Sequence, residues 1–486
     1  MKPDPTRRPW PERRARALQD TVLRETLAGV MPRLAAARVA AYAQDPGAEE
    51  SRIRARDRRR KAVADRDALL AQAMASIEQH GGAAARVADG EAAARYILAI
   101  AARRGGRRVT KSKSMVTEEL ELNRLLEAGG LEVRETDLGE YIVQLAGERP
   151  SHILAPAIHR NRLQVKDVFD QEAHRQGIPA PAGADITELT RYARQRLRAD
   201  FLAADIGITG GNFVVAETGT LVLITNEGNA DMVTTLPPVH VAVVGIEKVV
   251  ERFSDLADLL PQPAMSGVGQ RLSAYTTLIS GPRQPGQLEG PEEWHVLFVD
   301  NGRSAIGAGA FQDVLTCIRC GACYNVCPVF RQVGGHAYGS VYGGPIGAVL
   351  TPLLQGLEAV PDLPESLCTL CHACVEACPM DIDLPAHFIQ LRTELVRRRL
   401  KPASVTRTYR TWSRLWTTPA GYRRSIQLAR LGQRLYLRRG RLTGGPGLLG
   451  GWAKTRDMPP VAAKTFQEWW ATRPKAREHD GQPRAD

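Results

Sequence analysis

Cys317-Ile-Arg-Cys320-Gly-Ala-Cys323-Tyr-Asn-Val-Cys327-Pro328 and Cys368-Thr-Leu-Cys371-His-Ala-Cys374-Val-Glu-Ala-Cys378-Pro379 contain all eight cysteines of the chain. Both read C-x2-C-x2-C-x3-C-P, the spacing that holds a pair of [4Fe–4S] clusters. Three cysteines at intervals of three wrap one corner of a cubane in a tight turn. The fourth, held before a proline, generally ligates the other cluster. We therefore assign Cys317, Cys320, Cys323 and Cys378 to one cluster, and Cys368, Cys371, Cys374 and Cys327 to the second. Such an exchange sets two clusters side by side and points to electron transfer. Disulfides would need an oxidising compartment, whereas the start Met1-Lys2-Pro3-Asp4-Pro5 is polar and proline-broken, unlike an export signal. A cytoplasmic location with reduced thiols is expected. Zinc sites favour paired cysteines or Cys/His mixtures over two runs of three plus a C-P.

Outward from the motifs, 486 residues suggest two or three domains. A hydrophobic fraction of 43% with 24% charged residues is that of a water-soluble globular protein. No run approaches the ~20 apolar residues of a membrane helix. The net charge is +12, with arginine-rich segments at Arg52 to Lys61 and Arg423 to Arg441. Such segments suit nucleic acid, an anionic membrane face or an acidic partner, but a solvated helix face is the simpler reading, because no nucleic-acid motif accompanies them. No nucleic-acid partner is expected; peripheral membrane contact stays open.

Helical spacing of Leu18, Val22, Leu23, Leu27, Val30 and Leu34 predicts helices over 13–43 and 52–80. Pro32 is expected to kink the first, and Ser51 to cap the second. From about Ala84, helices alternate with short apolar strands. Helices are expected over Gly90 to Arg103, 115–128 and Asp185 to Asp205. Strands are expected near Arg108 and over 131–136, Tyr141 to Leu145, Ile153 to Ala157, Phe213 to Ala216, Leu221 to Thr225, Val239 to Val244 and His295 to Val299. This alternation argues for an α/β domain with a largely parallel sheet, with 213–216 and 221–225 forming a hairpin. The cysteine motifs, the only internal repeat, start 51 residues apart. Helical patterns around Gly347 to Gly356 and from Asp362 predict an all-α two-cluster module. The expected divisions are 1–60 (helical), 61–302 (α/β), 303–400 (ferredoxin-like) and 401–486 (basic helices with Trp412 and Trp416, then Phe466, Trp469 and Trp470). The last dozen residues are expected to be disordered. Gly445-Pro-Gly-Leu-Leu-Gly450 matches G-x-G-x-x-G but lacks a surrounding βαβ unit, so it reads as a loop.

Within the motifs, Gly321 occupies a turn position that accepts positive φ. His372 stands at the matching place, either as a tolerated turn residue or as a donor to the cluster. Arg319 and Arg331 bring positive charge near the clusters, or face solvent.

Beyond the cysteines, long ordered blocks carry a resemblance. They include Lys111-Ser-Lys-Ser-Met-Val-Thr-Glu-Glu119, Glu135-Thr-Asp-Leu-Gly-Glu-Tyr-Ile142, Ser151-His-Ile-Leu-Ala-Pro-Ala-Ile-His159 and Gly207-Ile-Thr-Gly-Gly-Asn-Phe213. Ala216-Glu-Thr-Gly-Thr220, Thr225-Asn-Glu-Gly-Asn229, Thr234-Thr-Leu-Pro-Pro-Val-His240, Asp300-Asn-Gly-Arg-Ser304, Gly334-Gly-His-Ala-Tyr338 and Gly344-Pro-Ile-Gly-Ala-Val-Leu-Thr-Pro352 extend it. Over about residues 60–400 the chain resembles the lactate-utilisation protein B family. The resemblance implies a lactate-utilisation (LUD) domain of the CoA-transferase and ribose-phosphate-isomerase type, fused to an α-helical ferredoxin. It implies the iron–sulfur subunit of a three-protein system oxidising L-lactate to pyruvate. The partners it implies are a cysteine-rich subunit resembling heterodisulfide reductase and a second LUD-domain protein.

In the α/β domain, Lys111, Lys113, Asn212, Glu217 and Glu227 stand on loops beside strands, where such sheets bind ligands. The lysines suit a carboxylate or phosphate, and Glu217 or Glu227 a carboxylate nucleophile. The plainer reading is that these charges pair with one another. His152, His159 and His240 read as ordinary partly buried histidines, and Pro237-Pro238 as a loop stiffener. Three functions follow: an electron carrier, an α/β domain that itself binds a hydroxy acid or acyl thioester and feeds the clusters in cis, and a basic nucleic-acid-binding protein with structural clusters. The first is favoured, since no dinucleotide site accompanies the motifs.

Overall fold

The computed structural model describes residues 8–445, 450, 451, 453, 456 and 458–473. The segment read as a G-x-G-x-x-G loop lies partly outside these residues, and the last dozen residues wholly so. The chain forms two compact units, one ending at Arg397 and one beginning at Arg398.

Four helices open the first unit: Trp10–Gln19, Thr21–Gln44, Ala48–Ala64 and Arg66–Gln79. The first break falls at Asp20, not Pro32. The Asp20 side chain accepts from Leu23 N at 2.9 Å and starts a new helix, which then runs through Pro32. Ser51 lies inside the third helix rather than capping it, because that helix already begins beyond Gly47.

The α/β domain is built on six parallel strands: β1 (Ala83–Val87), β2 (Arg108–Lys111), β3 (Glu132–Glu135), β4 (Ile206–Thr209), β7 (Val239–Gly245) and β10 (Glu293–Val299). Their order is β1-β10-β7-β4-β2-β3. Every residue of β4 and β7 is buried, as expected of a parallel sheet covered on both faces. On one face Ala93, Ile97 and Ile100 pack with Val109, Ile206, Val241 and Leu297. On the other, Leu69, Leu70, Ala73 and Ile77 pack with Val244, Trp294 and Val296. A second sheet, β8-β5-β6-β9, joins β5 (Phe213–Val215) and β6 (Leu221–Thr225) as the expected hairpin to β8 (Val249–Val250) and β9 (Tyr275–Ile279).

Two expected strands are absent. Tyr141 to Leu145 lies in the helix Leu138–Ala146, whose start is capped by Asp137 accepting from Glu140 N at 3.1 Å. Its Tyr141 and Ile142 pack with Phe169 and Tyr192, so the apolar run is a helix face. Ile153 to Ala157 is a turn closed by Ser151 N donating to Pro156 O at 2.9 Å. The helix expected over 115–128 is two, Met115–Glu119 and Leu122–Ala128, separated at Glu121 with φ +51°.

Residues 303–397 form helices and turns without a strand. The N-terminal helices bind this region to the α/β domain. Arg13 donates to Ala337 O at 2.9 Å and Arg38 to Glu376 O at 3.3 Å, while the Tyr42 hydroxyl meets Gln262 and Ser266 at 2.9 and 3.0 Å.

Candidate iron–sulfur site and the adjoining cleft

The two cysteine motifs fold alike. Arg319 and Leu370, each two residues past the first cysteine, take φ of +62° and +57°; Gly321 and His372 take +74° and +63°. This backbone turns Arg319 N onto Cys317 Sγ at 3.4 Å and Leu370 N onto Cys368 Sγ at 3.3 Å. Phe330 N likewise reaches Cys327 Sγ at 3.4 Å. Short helices, Ala322–Val326 and Ala373–Ala377, follow, and Cys327 and Cys378 leave them in extended backbone ahead of their prolines. None of the eight cysteines is in a disulfide.

The structure brings Cys317, Cys320, Cys323 and Cys378 around one cavity, with Ile153, Ile346, Met380 and Ile382 as apolar lining. Cys327, Cys368, Cys371 and Cys374 surround a second, lined also by Pro328, Pro345 and His372. Each cavity thus takes three cysteines from one motif and the last from the other. Four thiols around an apolar hole, with peptide N–H groups on the sulfurs, fit the demands of a [4Fe–4S] cubane. Burial pushes the Cys320 and Cys374 thiols up to about 12 and Cys378 to about 11. Thiolates here therefore require a strong positive neighbour, which iron supplies.

The two sites differ in surroundings. Beside the first lies a buried charge network. Arg303 Nε donates to Glu247 Oε2 at 2.7 Å, and its Nη1 and Nη2 grip Glu119 at 2.8 and 2.7 Å. The Tyr342 hydroxyl adds a bond to Glu119 at 2.7 Å. Arg319 stacks over Tyr342 at 4.9 Å, with Nη2 3.7 Å from Glu247. Arg59 is fully buried and donates to the Glu247, Val249 and Leu315 carbonyls. Lys248 Nζ donates to Cys317 O at 3.2 Å; burial, reinforced by Arg319, lowers its pKa to about 7. Four basic side chains against two carboxylates leave an excess of positive charge beside a group that is itself net negative when loaded. The second site is more open, with Cys371 and His372 exposed. Arg392 Nη2 donates there to Cys368 O at 2.8 Å. Arg331 is held by the Asn325 carbonyl at 2.9 and 2.6 Å. Tyr324, Phe330 and Tyr338 form a buried aromatic group; the Tyr324 hydroxyl has no hydrogen-bond partner among the described residues, and the Tyr338 hydroxyl faces Cys327.

A cleft of about 310 Å³ opens in the α/β domain, beyond the ends of β2 and β4. Of the five residues singled out from the sequence, Lys113, Asn212 and Glu227 line it. Lys111 does not: wholly buried, its ammonium pairs with Glu135 at 2.6 Å and Glu118 at 3.0 Å. Glu217 also stands elsewhere, accepting from Phe253 N at 2.8 Å. Asn212 Oδ1 accepts from Ile224 N at 2.9 Å, and Glu227 from Leu138 N at 3.1 Å. Burial, with Asp137 nearby, pushes the Glu227 carboxyl up to about 7. Lys248, Asp137 and Ser114 join the lining; Ser114 and Asp137 lie in blocks that carry the resemblance but were not singled out as site residues, and Lys248 lies in none of those blocks. Ile153, Ile318 and Arg319 line both this cleft and the first cysteine cavity, so the two adjoin. The three histidines singled out from the sequence bond within the protein. His152 accepts from Leu154 N and Ala155 N, His159 bonds Glu148 and Ser151, and His240 bonds Thr209. His152 and His240 are fully rather than partly buried, and burial lowers each to about 3.

Architecture and cysteine geometry together define an iron–sulfur protein with an α/β domain. A LUD domain model matches residues 70–299, and a 4Fe-4S dicluster domain model matches residues 313–382. Lactate utilization protein B of Geobacillus kaustophilus is 42% identical over 460 residues, spanning 94% of this chain and 95% of its own. The uncharacterized electron transport protein YkgF of Escherichia coli K12 is 40% identical over 453 residues, 93% of this chain and 94% of its own. The chain belongs to the lactate utilization protein B family. A crystal structure of a DUF162 family protein from Deinococcus radiodurans is 18% identical and covers 48% of this chain and 98% of its own, with a TM-score of 0.26.

Proposed function

We propose that this protein is the electron-transfer subunit of an L-lactate oxidation system. Cys317, Cys320, Cys323 and Cys378 would ligate one [4Fe–4S] cluster, and Cys327, Cys368, Cys371 and Cys374 the other. The observation that carries this is the crossing of the fourth cysteine of each motif into the cavity of the other. When bound, the two clusters supply a pair of adjacent one-electron carriers. The chain's part is to hold the sulfurs with backbone N–H groups, to exclude water from the first site with Ile153, Ile346 and Met380, and to set positive charge beside it. The exposed Cys371 and His372 leave the second site open to a redox partner. Its partners would be the two that the resemblance implies, a cysteine-rich heterodisulfide-reductase-like subunit and a second LUD-domain protein, with the lactate oxidised outside this chain.

The test is a set of single Cys→Ser variants, anaerobically reconstituted. Cys327→Ser should lose the same electron paramagnetic resonance signal as Cys371→Ser, and Cys378→Ser the same signal as Cys320→Ser. Each variant should keep about half of the wild-type ~8 iron. If instead Cys327→Ser removes the signal that Cys320→Ser removes, the crossing is wrong. A second reading, in which the α/β domain binds a hydroxy acid or acyl thioester and feeds the clusters directly, is favoured by the residues shared between cleft and first cavity. Lactate turnover by the reconstituted chain alone with a dye acceptor would establish it; none is expected under the first reading.

A further inference from the structure

The chain's two basic segments have opposite fates. Arg52 to Lys61 is neutralised internally: Arg52 pairs with Glu49 and Asp381, Arg54 with Asp258, Arg56 with Asp57 and Asp381, Arg58 with Asp255 and Asp258, and Lys61 with Glu251. The second unit cannot be neutralised in this way. From Arg398 onward there are twenty lysines and arginines but five acidic residues, and no acidic residue at all between Glu394 and Asp457. That unit therefore carries +15 of a whole-chain net charge of +12, and the remainder of the protein sums to −3. Among its described residues one ion pair stands out, Arg430 with Glu468 at 3.3 Å.

Its helices are also unlike those of the first unit. Ala403–Trp416 and Pro419–Gly432 bury no residue. In the first, Val405, Tyr409, Trp412 and Trp416 recur at steps of four, three and four, which places them on one face. Arg407, Arg410 and Arg414 fall on the opposite face. Tyr409 is 63% exposed, Trp412 51% and Trp416 45%; Trp469 and Trp470 are 52% and 49% exposed. No helix among the described residues is long and apolar enough to cross a membrane.

We propose that the unit from Arg398 onward docks the protein on an anionic lipid surface, with the Tyr409/Trp412/Trp416 face in the interfacial layer and the surrounding arginines against the headgroups. Short amphipathic helices with a basic face and Trp or Leu opposite lie in the membrane plane rather than across it. Tyrosine and tryptophan favour that layer because each joins an apolar ring to a polar tip. Positive charge in fourfold excess over acidic residues suits a continuous anionic sheet. A protein partner would instead be read by discrete, geometrically matched pairs.

The test uses the full-length, cluster-loaded protein with vesicles of phosphatidylcholine alone or mixed with phosphatidylglycerol. Co-sedimentation with the anionic vesicles at low salt is expected, together with a blue shift of tryptophan emission, and both should be lost at high salt. At about fivefold per basic residue, replacing Arg407, Arg410 and Arg414 by Gln should weaken binding by about a hundredfold. Trp412→Ser with Trp416→Ser should weaken binding at least as clearly, and iron absorbance should be unchanged in both variants. Failure to bind anionic vesicles at low salt overturns the proposal. So does equal binding by the arginine variant. Normal vesicle binding by variants that no longer co-purify with partner subunits would assign the surface to an acidic protein.

Discussion

Replacing Arg319 by Gln should lower the midpoint potential of the first cluster while leaving the second nearly where it was. The guanidinium is about nine-tenths buried and lines the cavity of Cys317, Cys320, Cys323 and Cys378, but not the other cavity. A buried cation there favours the added negative charge of the reduced state. At a separation of about 7 Å and an effective dielectric of about 20, one unit charge is worth about 2 kcal/mol. For a one-electron couple that is about 100 mV. Little of it should be compensated, because Glu247 keeps its bond to Arg303 when Arg319 loses its charge. The assay is an anaerobic redox titration of the wild type and the variant, following the two paramagnetic signals separately. The reasoning is refuted if the first cluster moves by less than about 20 mV, or if the second moves as much as the first.

Lys111→Met should destabilise the protein by about 3–5 kcal/mol, since it strands Glu135 and Glu118 in a buried site, while Lys113→Met should cost under about 0.5 kcal/mol. Denaturant midpoints would show whether the two lysines differ in this way. Tyr338→Phe removes a buried hydroxyl beside Cys327 and should lower the second cluster's potential by about 20–60 mV, the one-electron equivalent of one hydrogen bond. His387 is lowered by burial but raised more by its bonds to Asp313 and Gln390, so its pKa ends above the usual histidine value. Its contribution to stability should be full below about pH 6.5 and fade as pH rises through the raised folded value. The stability gap between wild type and His387→Gln should therefore be larger at pH 6 than at pH 9, and an equal gap at both would remove the argument.

Eight cysteines in two C-x2-C-x2-C-x3-C-P runs disclose the cofactor class because a cubane imposes its spacing on local sequence. Buried parallel strands such as Val239–Gly245 are legible for a similar reason: burial on both faces forces an unbroken apolar run. Ala83–Val87 was not legible as a strand, since Ala-Ala-Ala-Arg-Val favours a helix and becomes a strand only by pairing with Glu293–Val299. Tyr141 to Leu145 misled in the opposite sense: its apolar run is one face of a helix, fixed by the Asp137 cap and the contact with Phe169. Lys111 and Lys113 are two residues apart and look equivalent on paper. Strand β2 ends at Lys111, which pairing with a strand 24 residues away sets beside Glu135, whereas Lys113 lies past the strand's end, at the cleft. Likewise nothing local to Arg319, Lys248 or Glu247 announces a charge network. Those side chains meet because the α/β sheet and the helical module pack against each other, and a buried charge has physical meaning only through the partners that packing brings to it.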